Sequence, residues 1–358
     1  MAMNASSAKY EEQICFQLRD LYHRYGYTQY RMSKFEEYEL YARNKNFLVS
    51  DHILTFTDTD GKLLALKPDV TLSIIKNTPG VGILQKVYYN ENVYRAVPPC
   101  GYREIMQAGL ECIGDLDDYA VCEVISLAAL SLQTISNQYL LDISHIGIVS
   151  GLLDYIGLDN RKDILEYIAA KNTAGVRSLC REQNISEENA ELLYTLIDLY
   201  GTPAQVLPIL KNIAVNQQMA DALEKLRLLC DFLKPIQDNL RLDFSIVNDM
   251  NYYSGIIFRG YLPGLASGIL AGGQYDNLLQ RMGKSGQAIG FAVYLDQLGS
   301  YSAPQKEFDV DILLLYNEKS DLQKVATMAD ALRCNGSSVR TERTIPAGLR
   351  YRECREVV

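Results

Sequence analysis

The stretch Lys86–Gly114, KVYYNENVYRAVPPCGYREIMQAGLECIG, decides how the rest of the chain is interpreted. Two runs rich in strand-forming valine and tyrosine flank the turn Pro-Pro-Cys-Gly at 98–101, which predicts a hairpin. Gln107 and Glu111 share one face of its second strand, and Arg95 lies near the end of the first. Polar groups aimed at a sheet face cost free energy unless they are paired. The residues alone leave open a ligand site, a solvated face or a structural ion pair.

Length and composition limit the class of protein. The chain has 358 residues, 48% of them hydrophobic and 22% charged, which is enough for two or three domains. A net charge of −9 argues against strong nonspecific binding of nucleic acid. No run of 18 apolar residues and no apolar signal segment occurs, so we expect no membrane span and no secretion. The eight cysteines lack CxxC spacing, which favours reduced thiols in a cytoplasmic protein over disulfides or a zinc site.

Ahead of Gly157, apolar spacing and turn residues predict helices and strands in alternation. Helices are predicted over 8–25, 71–76 and 119–138, and strands over 27–35, 47–58, 62–67 and 141–148, besides the hairpin. The signals then become almost entirely helical as far as Leu233, which predicts a helical insertion over about 159–236. Strands are predicted again at 241–247, 252–260, 268–271 and within 286–299, with a short helix at 277–282.

The order of these elements predicts the fold class. Strands that pair mostly with hairpin neighbours, with helices bunched between them, indicate an α+β fold on an antiparallel sheet flanked by helices over 1–300. A polar linker, 301–306, leads into a short α/β piece over 307–358, with strands at 309–316 and 338–342 around a helix at 321–334. A piece of this size is small for an independent domain. No P-loop, GxGxxG, HExxH, GxSxG or phosphoribosyl-diphosphate loop occurs, so the sequence indicates no nucleotide chemistry of its own.

Four motifs, taken together, resemble the catalytic domain of histidyl-tRNA synthetase, a class II aminoacyl-tRNA synthetase, over Glu11–Gln297. In order, they are Leu-Lys-Pro-Asp-Val-Thr at 66–71, the Arg95 hairpin ending in Gln-Ala-Gly-Leu-Glu at 107–111, Met-Asn-Tyr-Tyr-Ser-Gly at 250–255, and Ala-Gly-Gly-Gln-Tyr-Asp at 271–276 with Gly-Phe-Ala at 290–292. The resemblance implies a sheet that cradles a histidine site and requires no cofactor or metal.

The resemblance also implies which residues hold the main-chain groups of the bound amino acid. Asp69 and Thr71 are expected to hold its ammonium group, and Arg95 its carboxylate. A zwitterion needs fixed opposite charges in a mostly closed pocket, which these three residues would supply.

Recognition of the ring is implied for the next motifs. Gln107 and Glu111 are expected to contact the ammonium and the imidazole, and Tyr253 of the Tyr252-Tyr253 pair is expected to help recognise the ring. A ligand that lacks the ring donors would leave Glu111 unpaired, which is how such a site discriminates.

Several positions depart from the synthetase pattern. Asn248 and Gln297 stand where the family has arginines that stabilise the reacting carboxylate and phosphates, and Gln274 replaces the arginine of Gly-Gly-Arg-Tyr-Asp. The acid that follows the hairpin arginine is replaced by Ala96, and Ser33 replaces a proline of the first class motif. Because adenylate formation depends on positive groups around the phosphates, we predict that the chemistry is lost and that amino-acid binding is kept.

This combination resembles the synthetase paralogues that serve as regulatory subunits of short-form ATP phosphoribosyltransferase, the first enzyme of histidine biosynthesis. The resemblance implies a non-catalytic chain that forms a hetero-oligomer with the catalytic subunit, binds L-histidine as feedback effector, dimerises through its synthetase-like domain and binds no tRNA. The same resemblance implies that the C-terminal piece corresponds to about half of a synthetase anticodon-binding domain. Two alternatives are an active histidyl-tRNA synthetase with divergent motifs and a free-standing relative that senses uncharged tRNA.

Overall fold

The structure is a computed structural model that describes residues 9–45, 52–78, 84–96, 101–158, 161–247, 252–299, 301 and 307–357. The chain divides into two compact units, a large one over Glu11–Tyr301 and a small one that contains the C-terminal residues. The large unit holds the polar hairpin and every residue that the sequence assigns to a site.

A sheet of nine strands forms the centre of the large unit, and a sheet of three short strands lies in the same unit. The strands of the two sheets are β1 (Thr28–Gln29), β2 (Phe35–Glu37), β3 (Thr55–Thr57), β4 (Leu63–Leu66), β5 (Gln85–Ala96), β6 (Tyr102–Gly114), β7 (Leu140–His145), β8 (Tyr200–Gly201), β9 (Leu240–Asp243), β10 (Ile256–Tyr261), β11 (Leu270–Gln274) and β12 (Gln287–Tyr294). The large sheet runs β1-β5-β6-β12-β11-β10-β7-β9-β8, and the small one runs β2-β4-β3.

The helices of the large unit fall into three groups: those ahead of the hairpin, those between β6 and β9, and one between β11 and β12. They are α1 (Tyr10–Arg24), α2 (Tyr38–Ala42), α3 (Thr71–Asn77), α4 (Asp118–Ile135), α5 (Ile146–Ile156), α6 (Arg161–Ala169), α7 (Thr173–Glu182), α8 (Glu187–Asp198), α9 (Pro203–Ile213), α10 (Gln217–Phe232) and α11 (Asp276–Arg281). Short 3₁₀ helices cover Lys234–Asn239 and Leu295–Gly299.

The pairing of the large sheet confirms the predicted α+β class. Strands β5, β6, β12, β11, β10 and β7 are antiparallel to their neighbours in that order. Only the outer pairs β1–β5 and β7–β9 are parallel among the described strands of this sheet. Long antiparallel strands at the centre leave one face for helices and the other for a ligand.

Helices α1 and α4 cover one face of the sheet, called here the helix face. Tyr22 of α1 is fully buried there, its hydroxyl lies 3.0 Å from Ser131 Oγ of α4, and its ring contacts Phe291 of β12 edge-on at 6.0 Å. The opposite face, called here the site face, carries alternate residues of the same strands. Gln107 and Glu111 lie on the site face, as the sequence predicts.

Helix α4 is, by length and composition, apolar enough to cross a membrane. Most of its residues are nevertheless buried within the unit, among them Val124, Leu127, Ala128 and Leu132 at the spacing of a helix that packs on a sheet. Its apolar character is therefore explained by its place in the core.

Several predicted boundaries are wrong. The strand predicted over 141–148 ends at His145, because Ile146 begins α5 and the Nδ1 of His145 accepts a hydrogen bond from the N–H of Gly147 at 3.0 Å. The strand predicted over 27–35 is reduced to Thr28–Gln29, and the one predicted from Tyr252 begins at Ile256. Of the strand predicted over 47–58, residues 47–51 lie outside the described residues, and only Thr55–Thr57 of the remainder is strand.

The small unit is a three-stranded parallel sheet with a helix. It contains β13 (Val310–Tyr316), α12 (Leu322–Cys334), β14 (Val339–Glu342) and β15 (Tyr351–Val357), in the order β14-β13-β15. The sequence predicts the first three of these elements but misses β15, whose residues Tyr-Arg-Glu-Cys-Arg-Glu-Val are mostly charged. Leu314, Val325, Ala329 and Val357 form its core.

Candidate ligand site

Glu111 lies at the centre of the site face and is 2% exposed. Its two carboxylate oxygens have separate donors: the Thr71 hydroxyl donates to Oε1 at 2.8 Å and the Tyr275 hydroxyl donates to Oε2 at 2.5 Å. Burial raises the pKa of Glu111 to about 8, although both hydrogen bonds act in the opposite direction. A carboxyl group held in this way can bind a ligand cation or a ligand N–H donor.

The side chain of Glu111 lies so close to the neighbouring strand that only glycine fits opposite it. Gly290 of β12 pairs with Glu111, and a Cβ at Gly290 would lie 1.6 Å from Glu111 Oε2. On β11, a Cβ at Gly273 would lie 2.7 Å from the ring of Tyr253. These glycines therefore make room on the site face for a carboxylate and an aromatic ring.

Gln107 lies four residues before Glu111 on β6, on the same face of the sheet. It is 2% exposed, and its Nε2 has no hydrogen-bond partner within the described part of the chain. A buried donor without a partner costs free energy, so a ligand acceptor at this position would relieve the cost. Directly across the hairpin, Glu91 pairs with Gln107 in register and forms an ion pair with Lys67, which is 1% exposed. Sequence reasoning missed this pair, because Glu91 and Lys67 are 24 positions apart.

The segment around α3 positions Asp69 and Thr71. The Oδ1 of Asp69 accepts a hydrogen bond from the N–H of Leu72 at 2.9 Å, which satisfies one donor at the start of the helix. Burial raises the pKa of Asp69, and the positive charge of Arg95 opposes that rise. The Nε of Arg95 donates to the carbonyl oxygen of Pro68 at 2.9 Å, so the loop before α3 and the hairpin are held together. The structure thus brings Asp69, Thr71 and Arg95 to the Glu111 side of the sheet.

Three tyrosines line the site as an aromatic wall. The rings of Tyr252 and Tyr253 meet nearly edge to face at 4.7 Å, and the ring of Tyr252 lies 5.8 Å from that of Tyr275. Burial raises the pKa of Tyr252 and of Tyr275 well above the usual value for tyrosine. Tyr275 was not among the predicted site residues, although the Gly272-Gly273 pair two positions before it, at a strand end, was a signal for a site there.

Two of the positions that depart from the synthetase pattern, Gln297 and Gln274, make hydrogen bonds to neutral groups. Gln297 hydrogen-bonds to the hydroxyl of Ser267 at 3.2 Å and donates to the carbonyl of Gly268 at 3.2 Å. The Oε1 of Gln274 accepts from the N–H of Ile256 at 2.8 Å on the helix face, away from Glu111. Asn248 lies outside the described residues.

As a whole, the site combines carboxyl groups, a guanidinium, an unpaired amide donor and aromatic rings. Asp69 and Glu111 supply carboxyl groups whose pKa burial raises, Arg95 supplies positive charge, and Tyr252 and Tyr253 supply an aromatic wall. This is the chemistry that a small zwitterion with a polar ring requires. No cluster of three or more histidine, cysteine or acidic side chains suited to a metal ion occurs among the described residues.

Comparison with known proteins shows the family of the chain. The family model described as histidyl-tRNA synthetase matches residues 2–298. The chain is 27% identical to the ATP phosphoribosyltransferase regulatory subunit of Ruminiclostridium cellulolyticum over 343 residues, covering 90% of this chain and 80% of the relative. It is 28% identical to the histidine–tRNA ligase of Methanocaldococcus jannaschii over 337 residues, covering 91% and 80%.

Solved structures of related proteins have a similar fold. An ATP phosphoribosyltransferase regulatory subunit/histidyl-tRNA synthetase from Bacillus halodurans superposes with a TM-score of 0.80 at 25% identity, covering 97% of this chain and 93% of that one. A chain of the ATP phosphoribosyltransferase (HisG:HisZ) complex from Thermotoga maritima superposes with a TM-score of 0.65 at 19% identity, covering 80% and 98%. The second likeness concerns the fold alone.

Proposed function

Because the chain belongs to the histidyl-tRNA synthetase family, we propose that it keeps the amino-acid site of that family as a regulatory site. In this proposal it is the regulatory subunit of ATP phosphoribosyltransferase, acts in histidine biosynthesis and forms a hetero-oligomer with the catalytic subunit. L-Histidine is its effector, and the chain performs no adenylation of its own.

The names of its relatives support the regulatory role. The Ruminiclostridium cellulolyticum relative is a regulatory subunit of ATP phosphoribosyltransferase, and the Thermotoga maritima chain with the same fold comes from a complex of that enzyme. Because the chain is also similar to a histidine–tRNA ligase, synthetase activity is the alternative function that the experiments must distinguish.

One observation carries the choice between the two functions. The site keeps the Glu111 carboxyl group with its Thr71 and Tyr275 donors, whereas Gln297, at a position where synthetases have a phosphate-binding arginine, makes neutral hydrogen bonds to Ser267 and Gly268. Transfer of an adenylyl group requires positive groups around the phosphates. Binding of an amino acid does not require them.

The geometry supports an assignment of each group to histidine. Arg95 binds the ligand carboxylate, and Asp69 with Thr71 binds the ammonium group. Gln107 Nε2 and Glu111 face the remaining polar atoms, and the Tyr252–Tyr253 pair packs against the imidazole ring. The buried donor of Gln107, which has no partner among the described residues, supports a ligand acceptor at this point.

Two assays with the purified chain test the proposal. We expect no histidine-dependent exchange of pyrophosphate into ATP above a control without enzyme. We also expect the chain to co-elute with the short-form catalytic subunit and to raise its phosphoribosyltransferase activity, while it shows none alone. Robust exchange, or a catalytic subunit that is fully active alone and elutes separately, would contradict the regulatory role.

A further inference from the structure

A second cavity lies on the helix face of the sheet, opposite the candidate ligand site. Its volume is about 460 Å³, and it lies between the start of α4, one side of α10 and the strands β10, β11 and β12. Ile256, Gln274 and Gln287 are the strand residues that line it. Gln274 pairs with Ile289 and Ile289 with Cys112, one position after Glu111, so these side chains point away from Glu111.

The deeply buried part of the lining, called here the floor, is apolar apart from the amide of Gln274, since Gln287 is only partly buried. Leu116, Cys122, Leu229 and Ile256 line it and are each at most 8% exposed. Gln274 is 6% exposed, and its carbonyl oxygen already accepts from the Ile256 N–H. The group that Gln274 has left to offer a ligand is its NH₂ donor. A ligand on this floor therefore needs an apolar body with an acceptor at its inner end.

The rim of the cavity has an excess of negative charge. Asp117, Asp118, Glu224 and Asp231 line it against Lys225 and Arg227. Glu224 is paired with Arg227 at 3.1 Å, and Asp117 accepts from the N–H of Ala120 as the cap of α4. Within the described chain neither Asp118 nor Asp231 forms an ion pair. A positive group at the outer end of a ligand would meet these two carboxylates.

We propose that this cavity is a second ligand site, which takes a small organic cation with an apolar body and a hydrogen-bond acceptor at its inner end. The volume lies within the range of small-molecule pockets, roughly 300–1,000 Å³. The ligand would touch both α10 and the sheet. It would also lie back to back with the histidine site, because Gln274 of this cavity directly precedes Tyr275, whose hydroxyl contacts Glu111.

A series of three phenols of similar size tests the chemistry. Tyramine has a positive amine, tyrosol a neutral hydroxyl and 4-hydroxyphenylacetate a negative carboxylate at the same end of the molecule. We expect tyramine to bind at least about tenfold more tightly than tyrosol, and 4-hydroxyphenylacetate to bind most weakly, in calorimetric or NMR titrations of the full chain. Equal binding of the three compounds, or no binding of tyramine, would overturn the proposal.

Variants then locate the binding. Gln274→Arg places a longer, positive side chain in the cavity and should abolish tyramine binding. The exposed double change Asp118→Asn with Asp231→Asn leaves the core intact and should weaken tyramine binding about tenfold. Glu111→Ala should leave tyramine binding unchanged, so this variant tests the second site independently of the histidine site. Loss of tyramine binding in Glu111→Ala, together with full binding in the double variant, would place tyramine in the histidine site and end the proposal.

Discussion

Glu111 joins the two halves of the ligand site. Its oxygens receive hydrogen bonds from Thr71, at the start of α3, and from Tyr275, at the end of β11. These two elements are distant in sequence, and one buried carboxyl group fixes both of them. A substitution of Glu111, or of a residue that contacts its carboxylate oxygens, therefore affects the whole site.

A methyl group at Gly290 should close the site. In Gly290→Ala the new Cβ would overlap Glu111 Oε2 at 1.6 Å, so the carboxyl group must leave its position between Thr71 and Tyr275. We expect histidine binding to be lost in calorimetric titration. Gly299→Ala is the matched control, since a Cβ added at Gly299 would have no neighbouring atom within 4 Å and the substitution should leave binding unchanged. Normal histidine affinity in Gly290→Ala would show that Glu111 does not bind the ligand.

The raised pKa of Glu111 predicts a pH-dependent stability. In the folded chain the pKa is about 8, whereas an exposed glutamate has 4.5. Between these values the unfolded chain loses the proton first, so the free energy of unfolding falls as pH rises, by at most about 1.4 kcal/mol per pH unit. Glu111→Gln removes this titration and keeps a hydrogen-bonding group of the same shape. Urea unfolding without histidine at pH 5, 6.5 and 8 should show the stability of Glu111→Gln rising relative to wild type; a constant difference would contradict the assignment.

Sequence reasoning could single out Asp69, Thr71, Arg95, Gln107 and Glu111, because each lies in a motif that resembles the synthetase pattern. It could not find Lys67 with Glu91, since an ion pair between distant segments depends on the register of the hairpin. The roles of the five motif residues toward histidine stay predictions until binding is measured.

At the scale of elements, local signals predicted well where they were strong. The ends of α1, α3, β13 and α12 lie within two residues of the predicted ends. Errors arose where an apolar run continued through a change of structure. The run from Leu140 to Ile148 has isoleucine or leucine at five of its nine positions, on both sides of the boundary, so only the cap at His145 separates β7 from α5. Burial lowers the pKa of His145 to about 4, which keeps the ring neutral and able to accept the Gly147 hydrogen bond.

The cap of α10 is predicted to stabilise more than one helix. Asn216 Oδ1 accepts from the N–H of Met219 at 2.9 Å, and its Nδ2 donates to the carbonyl of Gly151 in α5 at 2.8 Å. Asn216→Ala loses both bonds, so we expect a loss of about 2 kcal/mol. Ser186→Ala, which removes only the exposed cap of α8, should lose about 1 kcal/mol. Equal losses in chemical denaturation would mean that the bond to α5 contributes nothing.

At the scale of the whole molecule, the two faces of the large sheet have different roles. The helix face carries α1 and α4, and the site face carries the charged residues of the ligand site. In the proposed function the site face binds an amino acid, and the rest of the surface remains for a partner. Neither the expected homodimer nor the proposed contact with the catalytic subunit can be derived from the sequence pattern, because surfaces lack the periodic signal that marks a core.

The last prediction concerns the reconstituted complex, in which histidine should inhibit by binding to this chain. Glu111→Ala removes a charge-assisted contact and should weaken histidine binding by about 1.5–3 kcal/mol, which is one to two decades in affinity. Arg95→Ala should weaken it at least as much, because the ligand carboxylate loses its cation. Both variants should still assemble with the catalytic subunit and activate it, since the pocket need not be the activating interface.

Linkage makes this test two-sided. If histidine inhibits through this site, the substrate-bound complex must bind histidine more weakly by the factor by which histidine weakens substrate binding. Calorimetry of histidine with the complex, with and without substrate, measures one factor, and substrate titrations with and without histidine measure the other. Inhibition of equal strength in wild type, Glu111→Ala and Arg95→Ala would place the feedback site on the catalytic subunit. Activation by this chain would then stand, whereas its role as histidine sensor would not.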